Sequence, residues 1–192
     1  MKIIVARYNE NIDWTKEFSN VIIYNKGCKL EENYNEILLE NVGREGHTYY
    51  KYIYDNYDNL DDYTIFLQGN PFDHSPNIIE NLHKILKNTK LDISFEFLSE
   101  QMLYCNLTRC KHHRSLPLQA IHNYLFNENK QSMMFKNNFN FKFGAGAQFI
   151  VSKNQILKRP KEFYLKLIKL LEYSVNPMEG YVIERFHKII FN

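Results

Sequence analysis

The side chains best suited to chemistry gather in a few stretches. Asp73 and His74 close the segment Thr64–Ser75 (TIFLQGNPFDHS), just after a hydrophobic run that breaks at Gln68-Gly69-Asn70-Pro71. A carboxylate beside an imidazole suits Mg²⁺ or Mn²⁺, hard cations that favour oxygen and accept a ring nitrogen. A single carboxylate is a poor cage, so a diphosphate has to supply the remaining oxygens, and Asp73 is the stronger ligand candidate. Arg44 stands in Asn41–Gly46 (NVGREG), a glycine-flanked helix start. Free N–H groups and a guanidinium there suit an anionic phosphate, although the stretch matches neither a P-loop nor a dinucleotide fingerprint. Arg7, Tyr8 and Asn9 follow the first apolar run, Lys2–Ala6. Tyr8 can stack on a base, and Arg7 or Asn9 can hydrogen-bond it; the plain alternative is a polar loop that caps the next helix.

Two further groups carry less. Cys105 to His113 (CNLTRCKHH) invites a zinc reading, but structural zinc sites use tighter cysteine pairs with a distant second half, so free thiols are the expectation. Asn176-Pro177-Met178-Glu179 has the form of a capping box, which accounts for Glu179. Glu184 has no such account. On the terminal helix Val182, Phe186, Ile189 and Ile190 make an apolar face, while Tyr181, Glu184, His187 and Lys188 point away from it.

The elements that must position these groups alternate between strand and helix. Lys2–Ala6, Val21–Tyr24 and Tyr63–Leu67 are β-rich runs without polar alternation, as in parallel strands covered on both faces. A helix opens near Asn41 and runs to Tyr57, with Tyr49, Tyr50, Ile53, Tyr54 and Tyr57 on one face. Ser75-Pro76 reads as an N-cap and first helical residue, and the helix to Lys87 buries Ile78, Ile79, Leu82, Ile85 and Leu86. Leu91–Leu98 makes another strand. Phe141–Ser152 makes one more, interrupted by Gly144-Ala145-Gly146-Ala147. Residues 28–40 are irregular or partly helical, and Asn127–Asn140 is a polar loop. Ser152–Gln155 is a capping box, and further helices run to Tyr173 and Phe191. The pattern predicts one α/β domain over residues 1–192, with a mixed, mostly parallel sheet. Its strands Lys2–Ala6 and Tyr63–Leu67 should lie centrally with their C-terminal ends together, the edge where open α/β sheets bind ligands.

Composition excludes more than it assigns. A net charge of +2 gives no reason to expect nucleic acid or a membrane surface, and no apolar run reaches spanning length. Three cysteines without a regular framework fit a reducing, cytoplasmic setting.

The blocks VARYNEN, IYNKG, NVGREGHTYYKYI, TIFLQGNPFDHS, FGAGAQFIVSK and ERFHKIIF occur in that order along nearly the whole chain. Together they resemble a domain family of fungi, bacteria and large DNA viruses, related to small GT-A-type glycosyltransferases. The Asn-rich residue usage is also similar to that of giant viruses, for which the setting is the host cytoplasm. The resemblance implies a Rossmann-like GT-A fold and transfer of a sugar from a nucleotide-diphosphate donor, a UDP-sugar by preference, to a glycan or protein acceptor. It places Arg7, Tyr8 and Asn9 at the nucleoside, Asn41 and Arg44 near base or phosphates, and the loop after Leu67 at the DxD metal motif. Here Gln68-Gly69-Asn70 stands where acids are expected, and Asp73 is the nearest carboxylate. A domain that binds nucleotide sugar or glycan without turnover is therefore the alternative. On the same reading the donor sugar lies against Gly144, Ala145 and Gly146, with Gln148 as a hydrogen-bonding partner. An inverting transfer needs a carboxylate within hydrogen-bond reach of the acceptor hydroxyl, and Glu184 is the first choice.

Overall fold

In the computed structural model, which describes residues 1–31, 33–126 and 140–192, the chain forms a six-stranded sheet with helices on both faces. The strands are β1 (Lys2–Arg7), β2 (Val21–Asn25), β3 (Glu36–Leu38), β4 (Tyr63–Gln68), β5 (Phe95–Phe97) and β8 (Phe149–Ser152), ordered β3-β2-β1-β4-β8-β5. The β3-β2-β1-β4 portion is parallel; β8 runs antiparallel to both β4 and β5. β6 (Met102–Asn106) and β7 (Asn140–Gly144) form a separate antiparallel pair.

The core strands are apolar throughout because both faces are covered. One face packs on α1 (Arg44–Asp55), α5 (Lys161–Leu171) and α6 (Met178–Ile190): Ile4, Phe66 and Phe149 meet Tyr49, Leu167 and Phe186. The Tyr49 ring lies 4.9 Å from Phe66 and 5.8 Å from Phe149, in tilted and edge-on contacts that aromatic pairs prefer. The other face packs Ile3, Val5, Ile65 and Leu67 on α2 (Ile78–Lys87), through Ile78 and Leu82, and on the 3₁₀ turn Asp13–Glu17. Two shorter helices, α3 (Leu118–Phe126) and α4 (Lys153–Ile156), complete the described chain.

Several sequence expectations change. Residues 28–40, read as irregular, supply edge strand β3. Of Leu91–Leu98 only Phe95–Phe97 pairs, at the opposite edge. The expected single strand over Phe141–Ser152 is two strands in two sheets, and Gly144–Ala147 is where the chain crosses between them. Gly146 turns there with φ +81°, and a Cβ at this position would lie 2.6 Å from the His74 ring, so glycine is required. Helix α2 starts at Ile78, not Pro76; Ser75 caps nothing and instead donates its hydroxyl to Leu98 O at 3.0 Å. The Ser152 box does form, with Gln155 N–H donating to Ser152 Oγ. The Asn176 box does not: Asn176 accepts from Arg44, and Glu179 accepts from the Tyr173 hydroxyl. Apart from Asn140, the loop expected over Asn127–Asn140 lies outside the described residues.

Candidate functional site

Parallel pairing of β1 with β4 puts Ala6 opposite Gln68, so both strands end at one edge. From β1 the chain builds outward through β2 and β3, whereas β4 borders β8 and β5 on the other side. The loops that follow β1 and β4 lie side by side there, with Trp14 Nε1–H donating to Gly69 O at 2.9 Å, and together with the start of α1 they border a crevice. The cleft there measures about 380 Å³ and is lined by Tyr8, Lys26, Asn41, Arg44, Glu45, Gln68 and Asp73, among others.

The expected nucleoside residues divide. Tyr8 is half exposed on the cleft and free to stack. Arg7 borders the cleft but is only 9% exposed. Its guanidinium donates to Glu10 O, Tyr8 O, Asn25 Oδ1 and Cys28 O at 2.7–3.2 Å, lacing the β1 and β2 loops together. Asn9 Oδ1 accepts from Cys28 N–H at 2.9 Å and serves the same lacing. Arg7 and Asn9 thus shape the wall on which Tyr8 is displayed.

Arg44 is held under strain. Gly43 and Arg44 both have positive φ, 66° and 52°, and Arg44 is not a glycine. Such a conformation costs on the order of 1–2 kcal/mol and persists only where surroundings impose it. Those surroundings are on α6 and its entry: Arg44 Nη1 donates to Asn176 Oδ1 at 2.9 Å, and its guanidinium lies 4.2 Å over the Tyr181 ring. The Nε, buried, makes no hydrogen bond and faces Glu45 Oε2 at 3.6 Å. A Cβ on Gly43 would lie 2.5 Å from that of His47 and add the same strain. Gly43→Ala is therefore expected to lower stability by about 2 kcal/mol or more, read as a shift of the urea midpoint; an unchanged midpoint would contradict the constraint.

Two cleft residues escaped the sequence reading. Lys26 looks like a turn residue in Asn-Lys-Gly, and Glu45 like an ordinary first-turn acid. In the fold, Lys26 Nζ donates to Val42 O and Arg44 O, and burial lowers its pKa to about 8 against a smaller opposing pull from Glu45. Glu45 has a side chain 11% exposed; burial raises its pKa, Arg44 opposes, and the nearby Glu184 adds to the rise. Only chain pairing brings these groups to one place.

The expected metal ligands part company. Asp73 is exposed on the cleft, with Asn70 Nδ2 at 3.4 Å. His74 turns away, its Nδ1 2.8 Å from Gln101 Oε1 and its ring against Gly146. Among the described residues no three His, Cys, Asp or Glu side chains are grouped to hold an ion.

Glu184 reaches the crossover loop: its Oε1 accepts from Gly146 N–H at 2.9 Å, and its Oε2 from Arg185 at 3.1 Å. Gln148, expected at the donor sugar, is fully buried and donates to Pro71 O at 2.9 Å, bracing the loop after β4 from behind. Gly144 and Ala145 are buried with it. Cys105 and Cys110 face each other across a β-bridge and are free, as is Cys28.

A family model described as "Protein of unknown function (DUF3431)" matches residues 3–192. The chain belongs to this family. The match takes in the DUF3431 sheet from the second residue of β1 onward and every cleft residue named above. Comparison with curated proteins and with solved structures gives no significant match. No helix among the described residues is long and apolar enough to cross a membrane.

Proposed function

We propose that the protein is a glycosyltransferase that binds a nucleotide-diphosphate sugar, a UDP-sugar by preference, and transfers the sugar to a glycan or protein acceptor on a GT-A-like fold. The supporting observation is the cleft at the reversal of strand order, which offers a stacking ring and two cations in one crevice. Tyr8 takes the base. Lys26 and Arg44 take the diphosphate, for which a strained and braced arginine is already oriented. Asn41 and Gln68 supply hydrogen bonds around it.

Charge balance limits this site. The lining holds three anions, Glu10, Glu45 and Asp73, and three cations, Arg7, Lys26 and Arg44, of which Arg7 is already engaged by backbone and amide oxygens. Burial raises the pKa of Glu45 while Arg44 and Lys26 pull it down, so this carboxyl is the lining group whose charge a bound diphosphate would most oppose. Asp73 is the residue that would share a Mn²⁺ or Mg²⁺ carried in by the nucleotide, supplying one carboxylate to neutralise the leaving diphosphate. That donor set also favours the second reading, a domain that binds the sugar nucleotide without turning it over.

A thermal-shift panel of nucleotide sugars with and without Mn²⁺ tests the reading. A ligand bound only to the folded state at a hundred times its Kd adds about 2.7 kcal/mol of stability. UDP or a UDP-sugar should raise Tm, Mn²⁺ alone should not, and Arg44→Ala should remove most of the UDP shift. Silence across the panel would remove the proposal. The pH dependence is signed: Lys26 loses its charge above about pH 8, so nucleotide affinity falls there. Between pH 8 and 10.5 the unfolded chain holds a proton the folded chain has released, so this group makes the free protein more stable as pH rises. Both trends should vanish in Lys26→Met.

A further inference from the structure

Glu10 and Asn70 line the cleft and also line a second hollow of about 470 Å³, completed by Asn11, Trp14 and Phe72. Its size falls in the roughly 300–1,000 Å³ range of small-molecule sites. Trp14 is fixed: its ring N–H donates to Gly69 O at 2.9 Å, and Phe18 packs edge-on beneath it at 6.4 Å. Phe72 stands against Trp14 at 82°, centroids 6.2 Å apart, and is 36% exposed. Two rings at right angles make an apolar corner, and Glu10, Asn11 and Asn70 surround it with a carboxylate and two amides.

A corner of this kind discriminates by shape. A nucleobase is flat and stacks on a single open ring face, which Tyr8 already offers in the cleft. A pyranose chair is thicker, with C–H groups on its faces and hydroxyls around its rim. The faces pack against aromatic rings while the rim bonds to carboxylate and amide oxygens and nitrogens. Glu10 is held at the boundary between the two cavities by Tyr8 N–H, which donates to its Oε2 at 2.6 Å.

We propose that the Trp14–Phe72 hollow is a saccharide-binding subsite that takes one pyranose ring of a neutral glycan, with Glu10, Asn11 and Asn70 bonding its hydroxyls. On the transferase reading, on which this part rests, the ring is the acceptor and Glu10 faces the reacting hydroxyl. The acceptor oxygen forms the new bond to the sugar's anomeric carbon while the bond from that carbon to the diphosphate breaks. The electron pair leaves with the diphosphate, and the hydroxyl proton passes to Glu10. Glu184 is less well placed, since both of its oxygens are engaged by Gly146 and Arg185.

Trp14 is the only tryptophan, so its emission reports directly on the hollow. Methyl β-glucopyranoside, methyl β-galactopyranoside and N-acetylglucosamine are titrated against the full chain, and UDP binding is read on the same preparation by thermal shift. At least one saccharide should change the emission saturably, with the response retained at saturating UDP. Phe72→Ala, which keeps the reporter and changes a half-exposed ring, should weaken that saccharide about tenfold. No response to any of the three, an equal response in Phe72→Ala, or displacement by UDP overturns the subsite. Saccharide binding without UDP binding removes the transferase reading and leaves the subsite; UDP binding without a saccharide response does the reverse.

Discussion

Arg185→Met is expected to destabilise the fold by about 3–5 kcal/mol, because it strands a carboxylate in a nearly closed environment. Arg185 is 3% exposed and Glu184 14%. The guanidinium donates to Tyr181 O at 2.6 Å, to Glu184 Oε2 at 3.1 Å and to Cys110 Sγ at 3.3 Å, and lies 4.7 Å over the Phe143 ring. One cation thus ties α6 to the β6–β7 pair and fixes the carboxylate that holds the crossover loop at Gly146. Removing the cation leaves Glu184 with Gly146 N–H alone. The double variant Glu184→Gln/Arg185→Met, with neither charge left buried, should recover most of the loss. Chemical denaturation of the two variants decides this; equal losses would mean that the charge pair is not what holds the wall. The same double variant separates structure from catalysis. If Glu184 is the base expected from the sequence, transfer stays lost when stability returns; if Glu10 has that role, transfer returns with the fold.

Acid should unfold the protein well before its carboxylates are all protonated. His187 is fully buried between α1 and β8, and burial holds its pKa down at about 3. Its Nδ1 lies 2.8 Å from the Tyr50 hydroxyl, its Nε2 has no partner, and the Phe149 ring sits 4.6 Å away. From pH 6.5 down to 3 the unfolded chain binds a proton that the folded chain refuses, so stability rises with pH across that window and is lost as pH falls. At about 1.4 kcal/mol per pH unit the loss approaches 5 kcal/mol at most, a large share of a typical 5–15 kcal/mol. His47, also buried and lowered to about 4, acts in the same direction. His187→Phe should cost stability at pH 7, since the Tyr50 hydroxyl loses its partner, yet show a flatter decline between pH 6.5 and 4. Urea midpoints across that range measure the slope. A slope equal to the parent's would show that this imidazole does not drive the acid transition.

His187 also marks how far the sequence reaches. By helical spacing it belongs to the polar side of the last helix, and the structure makes it part of the core. α6 is covered by α1 on one side and by β7 and α3 on others, so its buried arc is wider than an amphipathic stripe. The local code did determine the central strands. Lys2–Ala6 and Tyr63–Leu67 are apolar on both faces, which only a covered parallel sheet satisfies, and their C-terminal ends meet as that pattern requires. It also determined the tyrosine-rich α1 and the Ser152 cap, and it placed Tyr8, Asn41, Arg44, Gln68 and Asp73 at the C-terminal edge of the parallel strands, where the cleft lies. The rest depended on groups distant in the chain. Arg7 and Gln148 look like ligand residues until the carbonyls of Cys28 and Pro71 arrive to occupy them. Lys26 and Glu45 look ordinary until β2 and α1 close over them. Trp14 and Phe72, 58 residues apart, become one hollow only when β1 pairs with β4 and brings their following loops side by side. A side chain's type is written locally; what it touches is set by which strands pair, and that is a property of the whole chain.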